Sequence, residues 1–278
     1  MSSLYGWVVG HGHMGSLHLK KLLHMPDIDA EAYDPPKGLI PSRTDPDFAI
    51  VATPAHSHRS AAEALLKRGI PVLIEKPIAT NREDAQWLAK QPNCFVGHIE
   101  RFNPAWQALD QNGRPKFIQA ERMGRFSHRS IDIGVALDLM IHDIDLCLAL
   151  SDSPIQDIRT IAMGLHTPQD LINTRIETTD CVFQLTASRI SKHAQRQLRI
   201  FSDTTYWSLD LQQQTIKTAS WIDGEMVDRQ IEIPKRDALE SQLRCFVDHV
   251  LERTSFPVSG EEGLRALDLA LSVTEACR

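Results

Sequence analysis

The sequence predicts an α/β protein in two parts. An N-terminal doubly wound parallel sheet is followed by an α+β region built on a mostly antiparallel, open sheet. Three observations carry this reading. Short apolar runs alternate with amphipathic helical stretches through the first hundred residues, the pattern of βαβ units with right-handed crossovers. A glycine cluster separates the first apolar run from the first helical stretch. Beyond about residue 115 the period changes, and alternating runs follow one another with few helices between them. At 278 residues, and about 100–200 residues per domain, the chain suits two domains, drawn at 1–115 and 116–278, with the C-terminal helices packing back on the first.

Taken in order, residues 4–9 form an apolar run that ends at Gly10, and Met14, Leu17, Leu19, Leu22 and Leu23 repeat with helical spacing across 13–25. Residues 31–33 read as a weak second strand and 48–53 (FAIVAT) as a strong third. An amphipathic helix over 57–68 stops at Gly69, and strands at 71–74 and 94–97 flank a helix over 81–90. In the second part, 178–186 and 197–201 carry period-two alternation, with turn signals at Ser202-Asp203 and Asp223-Gly224. Helices over 237–253 and 260–277 close the chain, the latter with Leu264, Leu267 and Leu271 on one stripe.

Composition excludes several classes. Thirty Lys and Arg against 36 Asp and Glu give a net charge of -6, so no global basic field exists to attract nucleic acid or anionic lipid. The five cysteines are odd in number, scattered and free of C-x-x-C pairs. They read as reduced thiols in the cytoplasm. The N-terminus has no basic leader region, and even the apolar stretch 133–150 is interrupted by Asp138, His142, Asp143 and Asp145. A secreted or membrane-spanning protein is therefore not expected.

Gly10-His11-Gly12-His13-Met14-Gly15 is a G-x-G-x-x-G sequence set between a strand and a helix. In that context the first glycine permits a tight turn, the second lets a pyrophosphate approach the backbone, and the third allows close helix–strand packing. The helix N-terminus offers N–H groups and a positive dipole end to phosphates. His13 and Met14 are part of the same turn. Asp34 ends the second strand 19 residues after Gly15, where a carboxylate accepts hydrogen bonds from ribose hydroxyls and repels a 2′-phosphate. The first 115 residues are thus expected to be a dinucleotide-binding Rossmann domain that takes NAD in preference to NADP.

Thr53, Pro54, His56 and His58 follow the third strand, and Glu75, Lys76 and Pro77 follow the fourth. The carboxyl ends of such strands face the cofactor crevice, so these residues join the cofactor-binding set, and Lys76 is placed to stabilise an alkoxide. Asp138 and His142 stand at i and i+4 of a helical pattern, which lets the carboxylate orient an imidazole that accepts a hydroxyl proton. The pairs His11-x-His13 and His56-x-His58 raise a metal option, but no compact set of three ligands presents itself, and no metal is expected.

These motifs, in this order across nearly the whole chain, resemble the Gfo/Idh/MocA oxidoreductases. The resemblance implies a Rossmann domain followed by an α/β domain whose open sheet often makes the oligomer interface. It implies NAD(P)-dependent oxidation or reduction at a sugar or polyol carbon, with Lys76, Asp138 and His142 as the catalytic set. Residues 96–104 (VGHIERFNP), Asp138 to Leu146, and 187–191 (ASRIS) are further similar to the branch that oxidises the 3-hydroxyl of UDP-N-acetylglucosamine, ahead of an amino transfer used in lipid A. That branch makes residues 116–278 the substrate-binding and oligomerising part. Lys76, Arg101, Asn103, Asp138, His142 and Arg189 are the expected substrate contacts, the arginines because guanidinium forks match a diphosphate. A homo-oligomer, dimer or tetramer, acting on a small nucleotide sugar is expected. The alternatives are another sugar, an inositol or a different nucleotide sugar as substrate, or a non-catalytic NAD-binding regulator.

Overall fold

The computed structural model describes residues 4–109, 114–127 and 133–277. The chain forms two compact units, residues 1–99 with 237–267, and residues 100–236 with 268–278. The first is a five-stranded parallel sheet in the order β2-β1-β3-β4-β5. Its strands are β1 Leu4–Val9, β2 Ile28–Tyr33, β3 Phe48–Val51, β4 Val72–Glu75 and β5 Cys94–Gly97. Helices α1 His13–Leu22, α2 His58–Lys67 and α3 Arg82–Ala89 connect them. Strand β3 is buried along its full length, as expected of a strand covered on both faces. Helix α3 starts where Asn81 accepts the Asp84 amide at 2.9 Å, a side-chain cap that meets one of the helix's unpaired donors.

Strand order and handedness together assign the faces. From β1 through α1 to β2 the chain steps one way along the sheet, and from β3 through α2 to β4 it steps the other. With right-handed crossovers the two helices lie on opposite faces. The β2-to-β3 connection belongs on the face of α2, yet residues 34–47 contain only the 3-10 turn Pro35–Lys37. The face of β1 and β2 beside α2 therefore has no helix over it. The Trp7 and Tyr33 rings stack there, 5.2 Å apart and 10° from parallel, and Trp7 Nε1 donates to the Arg43 carbonyl at 3.2 Å, tying the connection down.

The second unit is an eight-stranded sheet in the order β13-β12-β11-β10-β6-β9-β8-β7. It comprises β6 Phe117–Met123, β7 Ile155–Met163, β8 Leu171–Thr178, β9 Val182–Ser188, β10 Gln195–Phe201, β11 Thr205–Asp210, β12 Thr215–Ile222 and β13 Glu225–Ile231. Only β6 and β9 pair in parallel, among otherwise antiparallel neighbours. One face buries Ile118, Ala120, Phe183, Leu185, Ile172 and Leu198. Helix α4 Pro104–Gln107, the π turn Ala136–Met140 and α5 Ile141–Leu150 belong to this unit. The alternating run 178–186 is not one strand: it straddles a reversal in which the Cys181 amide donates to Thr178 Oγ1 at 3.0 Å. The turns at Ser202-Asp203 and Asp223-Gly224 do join antiparallel partners.

Helix α6 Ala238–Val250 belongs to the first unit, and α7 Gly260–Glu275 begins there and ends with the second. Phe246 of α6 is fully buried, its ring within 6.0 Å of Phe48, Phe95 and Phe256. The division between units falls at residue 99, earlier than the 115 expected from texture. The reason is polar: Glu100, Arg101 and Asn103 are engaged by Arg122, Asp145 and the Leu211 carbonyl of the second unit. Replacing Phe246 with Ala is expected to cost about 3–5 kcal/mol of stability, read by urea unfolding, because the aromatic cluster cannot collapse onto the void.

Candidate active site

The turn after β1 is built from contacts that only glycine permits. Gly10 has φ +89°, and its amide donates to the Tyr33 carbonyl at 2.9 Å. A Cβ on Gly15 would stand 1.9 Å from the Gly10 carbonyl oxygen, so α1 lies directly against the turn. Gly12 is the N-cap of α1 and no side chain caps the helix. A Cβ there would meet nothing within 4 Å, which leaves open space in front of the helix N-terminus where an anion is favoured.

At the end of β2, Asp34 Oδ2 accepts the His11 amide at 2.8 Å and lies 3.1 Å from Lys37 Nζ. The His11 amide, with help from Lys37, holds the Asp34 carboxyl below its ordinary value. Both contacts use one oxygen, and Asp34 lines the cleft, where a carboxylate would accept from a ribose hydroxyl. Gly10, Gly12, Asp34, Thr53, Pro54 and His56 line one cleft of about 680 Å³, which continues over the Trp7–Tyr33 pair along α2. Thr53 Oγ1 and His11 Nδ1 are buried in this region without a hydrogen-bond partner. Orphaned polar atoms of this kind call for a ligand or water, and the chemistry of the cleft fits a dinucleotide: amides for a diphosphate, a carboxylate for ribose, an apolar floor for a base.

Two expected cofactor contacts have other work. His58 is buried, with Nδ1 3.0 Å from the Pro77 carbonyl and Nε2 2.9 Å from the Thr53 carbonyl. It braces the ends of β3 and β4 against each other, and burial pushes its pKa down. Glu75 pairs with His18 of α1 at 2.6 Å, and it is not among the residues lining the cleft. Lys76, at the carboxyl end of β4, is partly exposed, and the Lys76–Pro77 peptide is cis.

In the second unit Asp138 lies on the π turn and His142 in the first turn of α5, both partly exposed. A π turn widens the helix and often accompanies a functional position. Asp143, next to His142, forms a fork with Arg122 at 2.7 and 3.0 Å, and Arg122 also donates to Glu100 at 2.8 Å. The pairing of these three buried groups was not read from the sequence: Arg122 was not singled out, and Glu100 and Asp143 stood in the noted segments without a role, because nothing in a sequence marks a charge as interior.

The expected substrate contacts Arg101, Asn103 and Arg189 each have partners within the second unit. Arg101 forks onto Asp145 at 2.6 and 3.0 Å. Buried Asn103 caps α4 by accepting the Ala105 amide and donates to Glu100 and the Leu211 carbonyl. Arg189 is buried, donates to the Ile133 carbonyl at 2.8 Å and lies 3.3 Å from Asp170. Arg101 and Asn103 tie their segment to Asp145 of α5 and to the Leu211 carbonyl after β11.

A parallel sheet with this glycine turn, acid and cleft defines a nicotinamide-dinucleotide-dependent oxidoreductase with a Rossmann domain. The comparisons agree: residues 25–92 match the family model described as "Oxidoreductase family, NAD-binding Rossmann fold". The UDP-N-acetylglucosamine 3-dehydrogenase of Acidithiobacillus ferrooxidans is 32% identical over 97% of this chain and 96% of its own length. Its solved structure superposes with a TM-score of 0.90 at 29% identity, covering 100% of this chain and 98% of that one. An inositol 2-dehydrogenase of Saccharopolyspora erythraea is 25% identical over 83% of this chain and 73% of its own length. The chain belongs to the Gfo/Idh/MocA oxidoreductases.

Two measurements check these assignments. Gly15→Ala is expected to abolish dinucleotide binding, read as loss of NADH fluorescence enhancement, because its methyl group cannot coexist with the Gly10 carbonyl. Arg101→Ala should lower stability by about 3 kcal/mol in thermal unfolding without any ligand, the result of leaving Asp145 buried and unpaired.

Proposed function

We propose that the protein oxidises the 3-hydroxyl of UDP-N-acetylglucosamine to a ketone, with NAD preferred to NADP, ahead of an amino transfer of the kind used for lipid A. The observation that carries this reading is the similarity, over nearly the full length of both chains, to a dehydrogenase of that name, together with Lys76, Asp138 and His142 standing at the expected places of the sequence. A bound nicotinamide supplies the hydride acceptor. His142 takes the hydroxyl proton, Asp138 orients its ring, and Lys76 stabilises the oxygen as its charge develops. Asp34 supports the NAD preference, since its carboxylate, charged below the usual range, opposes a 2′-phosphate.

Residues 1–99 with 237–267 hold the cofactor in this reading, and the second unit supplies the substrate side. The open face of the eight-stranded sheet supports self-association. Phe117, Phe201 and Tyr206 are neighbours across its strands, with ring centroids 5.8 and 4.8 Å apart, and Trp221 opposite Met226 is exposed. Burying such a patch in a second copy removes it from water. The five free cysteines support a cytoplasmic setting; none of the described helices is long and apolar enough to cross a membrane.

A second substrate reading, an inositol or other sugar, has the similarity to inositol 2-dehydrogenases behind it. Incubating cofactor-free protein with UDP-N-acetylglucosamine and NAD separates the two. Reduced nicotinamide absorbance with a 3-keto product by mass spectrometry is expected, and turnover with myo-inositol alone would replace the first reading by the second. His142→Ala and Lys76→Ala should each lower kcat by about 10² or more while leaving NADH binding intact; full activity in both variants would remove these residues from the mechanism.

A further inference from the structure

Glu75 closes β4 with its carboxylate paired to His18 of α1. His18 of α1 is fully buried, the Glu75 side chain is 13% exposed, and His18 Nε2 lies 2.6 Å from Glu75 Oε1. His18 Nδ1 has no hydrogen-bond partner, so the ring's Nε2 proton is committed to the carboxylate. Gly97, paired with Glu75 on β5, makes the space: a Cβ there would stand 3.3 Å from Gln242 Nε2 of α6 and 3.6 Å from Glu75 Oε1. The charged or titratable groups around the carboxylate are His18 on α1, His58 on α2 and Lys76 next in the chain; Gln242 is neutral.

Burial alone would push the Glu75 carboxyl up. The His18 hydrogen bond, with the Lys76 charge nearby, outweighs it and holds the carboxyl below its ordinary value. A buried ion pair is weak evidence for stability, because apolar side chains of similar volume often serve the fold as well or better. The fixed charge needs another account, and its place in the sheet supplies one. Strand order β2-β1-β3-β4 sets out Asp34, the glycine turn, Thr53 and then Glu75-Lys76 along one sheet edge. A dinucleotide with its ribose on Asp34 and its diphosphate before α1 runs its far ring toward the ends of β3 and β4. That ring is positively charged when oxidised and neutral when reduced.

We propose that His18 and Glu75 are a charge-setting pair: His18 keeps a carboxylate at the β4 end of the cofactor site, and the carboxylate binds the oxidised dinucleotide more tightly relative to the reduced one. This rests on the dinucleotide reading of the cleft and is tested by binding rather than turnover. Dissociation constants for NAD and NADH are measured by calorimetry on the full-length, cofactor-free protein and on Glu75→Gln, which keeps the shape and the hydrogen bond with His18 but removes the charge. The ratio Kd(NAD)/Kd(NADH) is expected to rise about tenfold through weaker NAD binding. If the single variant does not fold, Glu75→Met/His18→Phe replaces the pair by apolar side chains of similar volume and the same rise is expected. A folded variant that binds NADH with the parent ratio, within about twofold, overturns the proposal and leaves the pair a structural one. Parent protein that binds neither form overturns the dinucleotide reading itself.

Discussion

Much of the first unit hangs on the close approach of one helix to one turn. Because Gly15 carries no side chain, α1 settles against the Gly10 carbonyl, and a rigid helix placed at one end is placed along its length. Three residues further on the same helix lays His18 beside Glu75, and one turn later Lys21 reaches Asp237 at 2.5 Å. Asp237 in turn caps α6 by accepting the Leu239 and Glu240 amides. The contact that leaves open space before the helix N-terminus thus also bears on the end of β4 and the docking of α6.

The second unit solves a different problem, that of holding a short helix whose ends must be positioned accurately. Helix α5 is gripped by two arginine forks, Arg122 on Asp143 and Arg101 on Asp145. Asp143 and Asp145 are buried, whereas His142 between the π turn and the helix is partly exposed. Burial opposes the Arg122 charge, and Asp143 and Glu100 outweigh it. Fork geometry restricts rotation in a way that packing alone does not, so the two pairs fix how α5 sits within its unit. Charge here is used for orientation, at the expense of hydration that an apolar core would not lose.

The β2-to-β3 connection shows how a missing element becomes a feature. Parallel strands are usually joined through a helix, and here a 3-10 turn and coil do the work. The space a helix would fill is left as the lower part of the cleft, floored by Trp7 and Tyr33. The coil is held by point contacts instead: Trp7 to the Arg43 carbonyl, the Ser42 amide to Glu31 at 2.8 Å, and the Tyr5 amide to Asp47 at 2.7 Å.

Local pattern determined the outline. Periodicity located β1, β3, β5 and the helices α1, α2, α3, α6 and α7 to within a few residues, and the glycine spacing with Asp34 pointed to a Rossmann domain, because these signals are written in consecutive residues and obey backbone sterics. Strands β6, β7, β8, β11, β12 and β13 were not read individually, since their alternating positions are too mixed in polarity to stand out. The partners of Arg101, Asn103, Arg189, His58 and Glu75 within the fold came only from tertiary structure. An arginine's partner in sequence may be 44 positions away, as Asp145 is from Arg101, and a side chain's type states what it can bind but not whether the fold has already bound it.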